Sequence, residues 1–372
     1  MPDCCTFVLR NNSNSSEVYA YITGIAIQHN GARMLMKSNG KDLYFPEAPK
    51  EILQPLKEDC AIPLGAPGNE ISITVPQIAG GRVWISMDGK LTFLLNPGPA
   101  LVEPSVLNPS DPNAGVNFGF CEFTLNNDQL FANISYVDFV PRIPIALRLE
   151  TMRGNAEEVK GMPPDGLDRI CEGLKKQAEK DGRPWDKLVV QRDGHNLRAL
   201  NATHGGAVGA NFDGYYEPHV EEVWKKYEKH CCKVNTQAGP GVLEGRVNKK
   251  GELVIGDECF AKPTTADIMV YPALSFIIIH STDLELRVAI LAPSPLGPLQ
   301  HEMQSYLALP QHSYARLCCA KQNILLNQAH STIRSQRTIM RASCTRTTSM
   351  GRGMRLRMMM YNRMVVRIRV GR

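Results

Sequence analysis

The sequence predicts a mainly β protein, a sandwich or barrel over residues 1–155 followed by a smaller mixed α/β segment over 156–268. Two patterns carry that expectation. From residue 6 to about 149, short apolar or alternating runs are broken by Gly, Pro and Asn clusters, which reads as strands joined by turns. After Pro163-Pro164 the apolar spacing lengthens to three or four residues, which reads as amphipathic helix. A chain of 372 residues is long enough for one large domain or two ordinary ones, with a real core.

Strands are expected at 18–27, 71–75, 83–87, 91–95, 118–125, 131–140 and 145–149, and their even spacing is what makes a sandwich or barrel the natural closure. Between them residues 97–117, rich in Pro, Asn, Ser and Asp, form a long loop, and long loops in compact domains are often functional. Asp165 can cap a helix carrying Leu167, Ile170, Leu174 and Ala178 on one stripe and ending near Gly182. A second helix follows Pro218, with Val220, Val223, Trp224 and Tyr227 on one face. Both stripes read as core. A strand at 188–191 lies between the helices, and residues 242–255 read as a hairpin turned at 248–251.

The net charge of +5 conceals an uneven distribution. Residues 269–372 hold 14 Lys and Arg against 3 Asp and Glu, whereas residues 1–268 hold 28 against 34. Such a basic tail would ordinarily suggest a phosphate-binding arm. The 11 cysteines include no Cys-x-x-Cys pair, which argues against zinc or thioredoxin-like chemistry. Cys60, Cys121, Cys171 and Cys259 lie apart and can be bridged in an oxidising compartment. No basic segment followed by an apolar one opens the chain, so no signal peptide is visible. The apolar run 271–280 is too short to span a membrane, which takes ~20 residues.

Two carboxylates stand out by their settings. In Phe120-Cys121-Glu122-Phe123-Thr124-Leu125-Asn126, period two puts Glu122, Thr124 and Asn126 on one strand face. A carboxylate among hydrogen-bonding side chains with aromatics nearby suits a sugar-binding groove, though a solvent-facing polar strand has the same pattern. Asp138 interrupts the apolar Ile134-Ser135-Tyr136-Val137-Asp138-Phe139-Val140, where an acid must be paired, hydrogen-bonded or exposed. A turn at Asn126-Asn127-Asp128 would set the two segments antiparallel with both acids on a common surface. Glycosidic bonds break with the help of such a pair. Glu103, in the Pro-rich loop, and Glu217, opening a helix, read as structural acids. Asn11, Asn14, Asn133 and Asn201 begin N-x-Ser/Thr sequons, and Asn133, on a strand, is the least suited to carry a glycan.

Several longer motifs bear on family. The runs Val18-Tyr19-Ala20-Tyr21-Ile22-Thr23-Gly24, Leu94-Leu95-Asn96-Pro97-Gly98-Pro99-Ala100-Leu101-Val102-Glu103-Pro104-Ser105, Gly119-Phe120-Cys121-Glu122-Phe123-Thr124 and Tyr136-Val137-Asp138-Phe139-Val140 come first. Asp181-Gly182-Arg183-Pro184-Trp185, Gly214-Tyr215-Tyr216-Glu217-Pro218 and Phe260-Ala261-Lys262-Pro263 follow. Together they resemble, in order, a fungal or bacterial glycoside hydrolase of family 64 over residues 6–268. The resemblance implies a thaumatin-like β domain joined to a mixed α/β domain, with a wide groove that accepts β-1,3-glucan and releases short oligosaccharides. It implies inverting chemistry without metal or cofactor, the proton donor at Glu122, the water-activating base at Asp138, and Thr124, Asn126 and Phe131 lining the groove. It also implies a monomeric extracellular protein that engages neither nucleic acid nor membrane. A non-catalytic glucan-binding thaumatin-like protein is the competing reading, against which the presence of both Glu122 and Asp138 weighs.

The resemblance stops after Ile268. Read with each third codon base joined to the next two, Met358-Met359-Met360 yields Asp-Asp, and permitted codons turn residues 357–370 into a stretch similar to the family's closing motif. Residues 270–287 are therefore expected to be a retained intron and 288–372 out-of-frame translation. On that reading 269–372 form a basic tail, poorly packed and sharing no core with 1–268.

Overall fold

The computed structural model describes residues 3–128, 130–151, 156–235, 241–269, 280–282, 285–287 and 363–370. Two compact units divide the chain. The first takes Met1–Glu172, Leu188–Ala207 and Arg341–Arg372, and the second takes Gly173–Lys187 and Val208–Met340.

The first unit is built on two sheets whose inner faces share one core. One sheet has five strands in the order Ala156–Val159, Ile145–Thr151, Arg363–Val370, Cys4–Asn12 and Glu70–Pro76. The other runs Leu130–Ile134, Asn117–Leu125, Ile78–Met87, Val18–Ala26, Ala32–Met36 and Leu43–Tyr44, with Ile62–Pro63 also paired to Val18–Ala26. Phe7 and Leu9 from the first sheet meet Ile22, Val83, Ile85, Cys121 and Phe123 from the second, and the rings of Phe7 and Phe123 lie 4.8 Å apart at 63°. Strict alternation supplies those residues: Cys121, Phe123 and Leu125 are buried while Glu122, Thr124 and Asn126 between them are not.

The Ile78–Met87 strand breaks its alternation once, and the break matters. Its register against both neighbours shifts by one residue across Ala79–Gly81, where Gly80 takes φ 56°. The extra residue of this β-bulge lets Ile78 and Val83 both face the core while Arg82 faces outward. At the neighbouring Gly81 the ring of Phe123 packs so closely that a Cβ would lie 2.6 Å from it. Only glycine fits beneath that ring.

In the second unit the helix Glu217–Lys229 lays Val220, Val223, Trp224 and Tyr227 against Cys232, Val234, Val247, Leu253 and Ile255 of a four-stranded sheet. The strands Val242–Val247 and Leu253–Ile255 form the expected hairpin. The helix Gly166–Asp181 matches its sequence pattern, and Asp165 forms an ion pair with Arg169 at its start.

Three expectations need correction. The strand expected at 131–140 is two strands, Leu130–Ile134 and Phe139–Pro141, the second pairing with His195–Leu200 in another sheet. Asp138 lies in the connection, because Ser135 donates its N–H to Phe120 O and the chain then leaves the ladder. The tail does share the core: Arg363–Val370 runs antiparallel to Cys4–Asn12 and parallel to Ile145–Thr151, burying Met364, Val366 and Ile368. Period-two alternation of apolar and basic residues makes it a strand despite its charge, and Arg367 reaches Glu150 at 3.6 Å. Within the expected intron, His280–Thr282 and Glu285–Arg287 pair antiparallel. Residues 288–362 lie outside the described residues. No disulfide joins Cys60, Cys121, Cys171 and Cys259, or any other described cysteine. Burial in the core pushes the Cys121 thiol up to about 12.

Candidate active site

The outward face of the larger sheet is assembled row by row from register. Thr23, Arg82, Glu122 and Asn133 stand opposite one another on four adjacent strands, so their side chains project together. The next row, Tyr21, Trp84 and Phe120, is buried and aromatic. Trp84 and Phe120 rings lie 4.6 Å apart, and Phe93, Phe118 and Phe139 extend the cluster. On the other side, Thr124 faces Phe131 across the ladder.

A continuous chain of hydrogen bonds crosses the polar row. Trp84 Nε1 donates to Thr23 Oγ1 at 3.2 Å, and Thr23 donates to Glu103 Oε1 at 3.1 Å. Arg82 Nη1 pairs with Glu103 Oε2, while its Nε and Nη2 both reach Glu122 Oε1 at 3.3 Å. Asn133 Nδ2 donates to Glu122 Oε2 at 3.4 Å. The guanidinium of Arg82 also lies over the rings of Phe120 and Trp84, 5.2 and 5.5 Å from their centroids. One cation thus ties two carboxylates to an aromatic floor.

Asp138 is held differently. Its backbone O accepts from Asn201 N, and Asn201 Nδ2 donates to Val137 O, both at 2.8 Å. His204 Nε2 donates to Asp138 Oδ1 at 3.0 Å. That hydrogen bond, joined by the charges of His204 and Arg82, holds the carboxyl below its ordinary range against the opposing effect of its partial burial. Beside this strand Arg198, 2% exposed, stacks over Phe118 and Phe139 and donates to Val116 O. Desolvation lowers its guanidinium to about 10.

The expected site residues are partly brought together. Glu122, Thr124 and Phe131 share one face of adjacent strands, while Asn126 sits in the turn, where its Oδ1 accepts from Asp128 N. Four residues at the site went unread in the sequence. Arg82 and His204 have no local motif of their own, Asn133 reads only as the start of a sequon, and Glu103 reads as a structural acid until Arg82 and Thr23 are seen against it. Glu217 does serve its own helix, accepting from Thr265 N at 2.8 Å and from the Thr265 hydroxyl.

The profile of the family described as beta-1,3-glucanase, glycoside hydrolase family 64, matches residues 3–322. The chain belongs to glycoside hydrolase family 64. That match extends well past residue 268, where the sequence resemblance was expected to stop. A glucan endo-1,3-beta-glucosidase of Cellulosimicrobium cellulans is 33% identical over 158 residues, 42% of this chain and 27% of the relative. One of Arthrobacter sp. (strain YCWD3) is 32% identical over 181 residues, 48% of this chain and 32% of the relative. In these alignments the chain spans about a third or less of the curated relatives' length. Among solved structures, a laminaripentaose-producing beta-1,3-glucanase in complex with laminaritetraose superposes with a TM-score of 0.64 at 27% identity, covering 72% of this chain and 74% of that one. A beta-1,3-glucanase domain from Clostridium beijerinckii shares the fold, with a TM-score of 0.53 at 19% identity over 72% of this chain and 75% of that one.

Proposed function

We propose that this family 64 chain hydrolyses β-1,3-glucan with inversion, Glu122 protonating the departing glycosidic oxygen and Asp138 deprotonating the attacking water. The observation that carries the reading is that Arg82, bonded to Glu122, also acts on the Asp138 carboxyl, so that one cation serves two half-exposed carboxylates in contrasting settings. Glu122 sits beside Arg82, which rests on the buried aromatic floor, and its oxygens are met by Arg82 and Asn133. Asp138 is held in its ionised form, as a base must be, with Oδ1 engaged by His204. Among the described residues its Oδ2 accepts no hydrogen bond, which leaves an oxygen for water.

Inversion requires the two carboxyl groups to stand ~6.5–9.5 Å apart, so that a water fits between Asp138 and the anomeric carbon. Thr124 and Phe131 extend the same face and are assigned to glucan contacts, with Asn126 at its margin. The thaumatin-like description of the β domain, a domain division near residue 155, the monomeric state and an extracellular site of action belong to the same proposal.

The test is release of soluble oligosaccharide from a β-1,3-glucan by the full chain. Glu122→Gln and Asp138→Asn should each lower turnover by roughly 10²–10⁴-fold while polymer binding persists. NMR of fresh product should show the α-anomer first. Near-normal turnover in either variant, or β-anomer first, overturns the assignment and turns attention to Glu103.

A further inference from the structure

Resting on that reading, we infer that His204 is the positioning residue for Asp138, fixing which carboxylate oxygen is presented to water and stabilising the charge on it. The side chain reaches Asp138 by a built route. The Phe139–Pro141 strand pairs with His195–Leu200, with Phe139 opposite Leu200. One residue further, Asn201 continues that pairing by donating its backbone N–H to Asp138 O and its side-chain amide to Val137 O. The same Asn201 starts the turn that carries the histidine: its Oδ1 accepts from Thr203 N at 3.1 Å and its backbone O accepts from His204 N at 2.9 Å. Asn201 therefore grips the backbone on both sides of the Asp138–His204 contact. The two backbones are thereby held beside each other, at a spacing from which the side chains meet.

His204 Nε2 at 3.0 Å from Oδ1 takes one oxygen out of competition and sets the carboxylate plane. With 19% of the His204 side chain exposed against 47% for Asp138, the donor is the shielded partner and the acceptor faces outward. The charged groups that act on Asp138 are His204, from the 3-10 turn Ala202–Val208, and Arg82, from the Ile78–Met87 strand. Arg82 is already shared between Glu103 and Glu122. Among the described residues the His204 ring is hydrogen-bonded to Asp138 alone, and its removal should show at that carboxyl.

The experiment has two readouts. In full-length protein labelled with carboxyl-¹³C aspartate, with Asp138→Asn identifying the signal, Asp138 should titrate below the ordinary carboxylate range and move up in His204→Ala. His204→Gln, which keeps an N–H donor near the Nε2 position without a charge, should fall between. In activity, the acid limb of the kcat/KM profile should move to higher pH in His204→Ala, costing about tenfold below the limb for each unit of displacement. His204→Gln should restore plateau turnover to within a few-fold of the parent. An Asp138 signal that titrates identically in all three proteins overturns the inference whatever the activity. Full turnover in Asp138→Asn would overturn the catalytic reading instead and leave the titration result standing. If His204→Ala does not fold, the His204→Gln titration decides alone.

Discussion

Arg82 faces two acids at once, and its contacts are unequal: it closes tightly on Glu103 and more loosely, at 3.3 Å, on Glu122. The half-buried side chains place this triad between the weak regime of exposed ion pairs and the strong one of buried pairs. Arg82→Met should therefore cost about 1–2 kcal/mol of stability, leaving two carboxylates facing each other. In a double-mutant cycle with Glu103→Gln much of that loss should be recovered, measured by denaturant melts. Asp138 makes a second prediction at this scale. Its folded-state pKa is depressed, so its stabilising contribution is complete above the unfolded-state value of about 4 and fades as pH falls through the folded value. The melting temperature of wild type minus that of Asp138→Asn should shrink on acidification; a gap that widened would contradict the sign. Glu122 was legible in the sequence because its strand announces its own face by alternation. Arg82 and Glu103 were not, since what joins them is a register set by a bulge and a loop returning from 80 residues away from Thr23.

That bulge is where an element-level rule bends to serve the site. Without the extra residue across Ala79–Gly81, period two would place Arg82 and Ile78 on the same side of the sheet, and one of them would be misplaced. Gly81→Ala drives a Cβ into the Phe123 ring and should destabilise by about 1–3 kcal/mol, read from a chemical melt. The strand Arg363–Val370 shows the opposite failure of reading. Its composition, heavy in Arg and Met, reads as a tail, yet the buried Met364, Val366 and Ile368 alternate with the less buried Val365 and Arg367 as in the other strands of the core. Period, rather than composition, decides whether such a segment forms a strand. Ile368→Ala, at 0% exposure, should cost about 2–5 kcal/mol by thermal or denaturant unfolding. An effect below half a kcal/mol would mean that this strand is not part of the core.

On the scale of the molecule, the same strand closes a sheet across almost the whole chain length, with Leu9 opposite Val366 and Leu147 alongside it. Contacts of such separation are slow to form, because the loop between them must be ordered before any bond repays it. A chain ending at residue 362 should leave the edges of Cys4–Asn12 and Ile145–Thr151 unpaired together. It should aggregate rather than melt cooperatively, which light scattering during refolding would reveal. A soluble, cooperatively melting truncation would count against this closure. The mainly β class, both principal helices and the terminal hairpin of the second unit were legible because each declares itself within about fifteen residues. The split of 131–140 and the seating of the last strand were not, because each depends on a partner far away in sequence.

The four sequon asparagines carry one more consequence, for the choice of expression host. Asn11 is fully buried, with Nδ2 donating to Gly65 O and Ser15 O, and Asn133 and Asn201 spend their amides on Glu122 and Val137. Asn14 is the one sequon asparagine whose surroundings are open. In a eukaryotic secretory pathway oligosaccharide is transferred to a chain still folding, so the four sequons compete with the closing sheet. Sugar at Asn11, Asn133 or Asn201 removes a hydrogen bond and wedges the polypeptide apart, whereas sugar at Asn14 rides on the surface. Peptide mapping of the secreted fraction should find occupancy at Asn14 alone, with molecules modified at the other three retained in the cell.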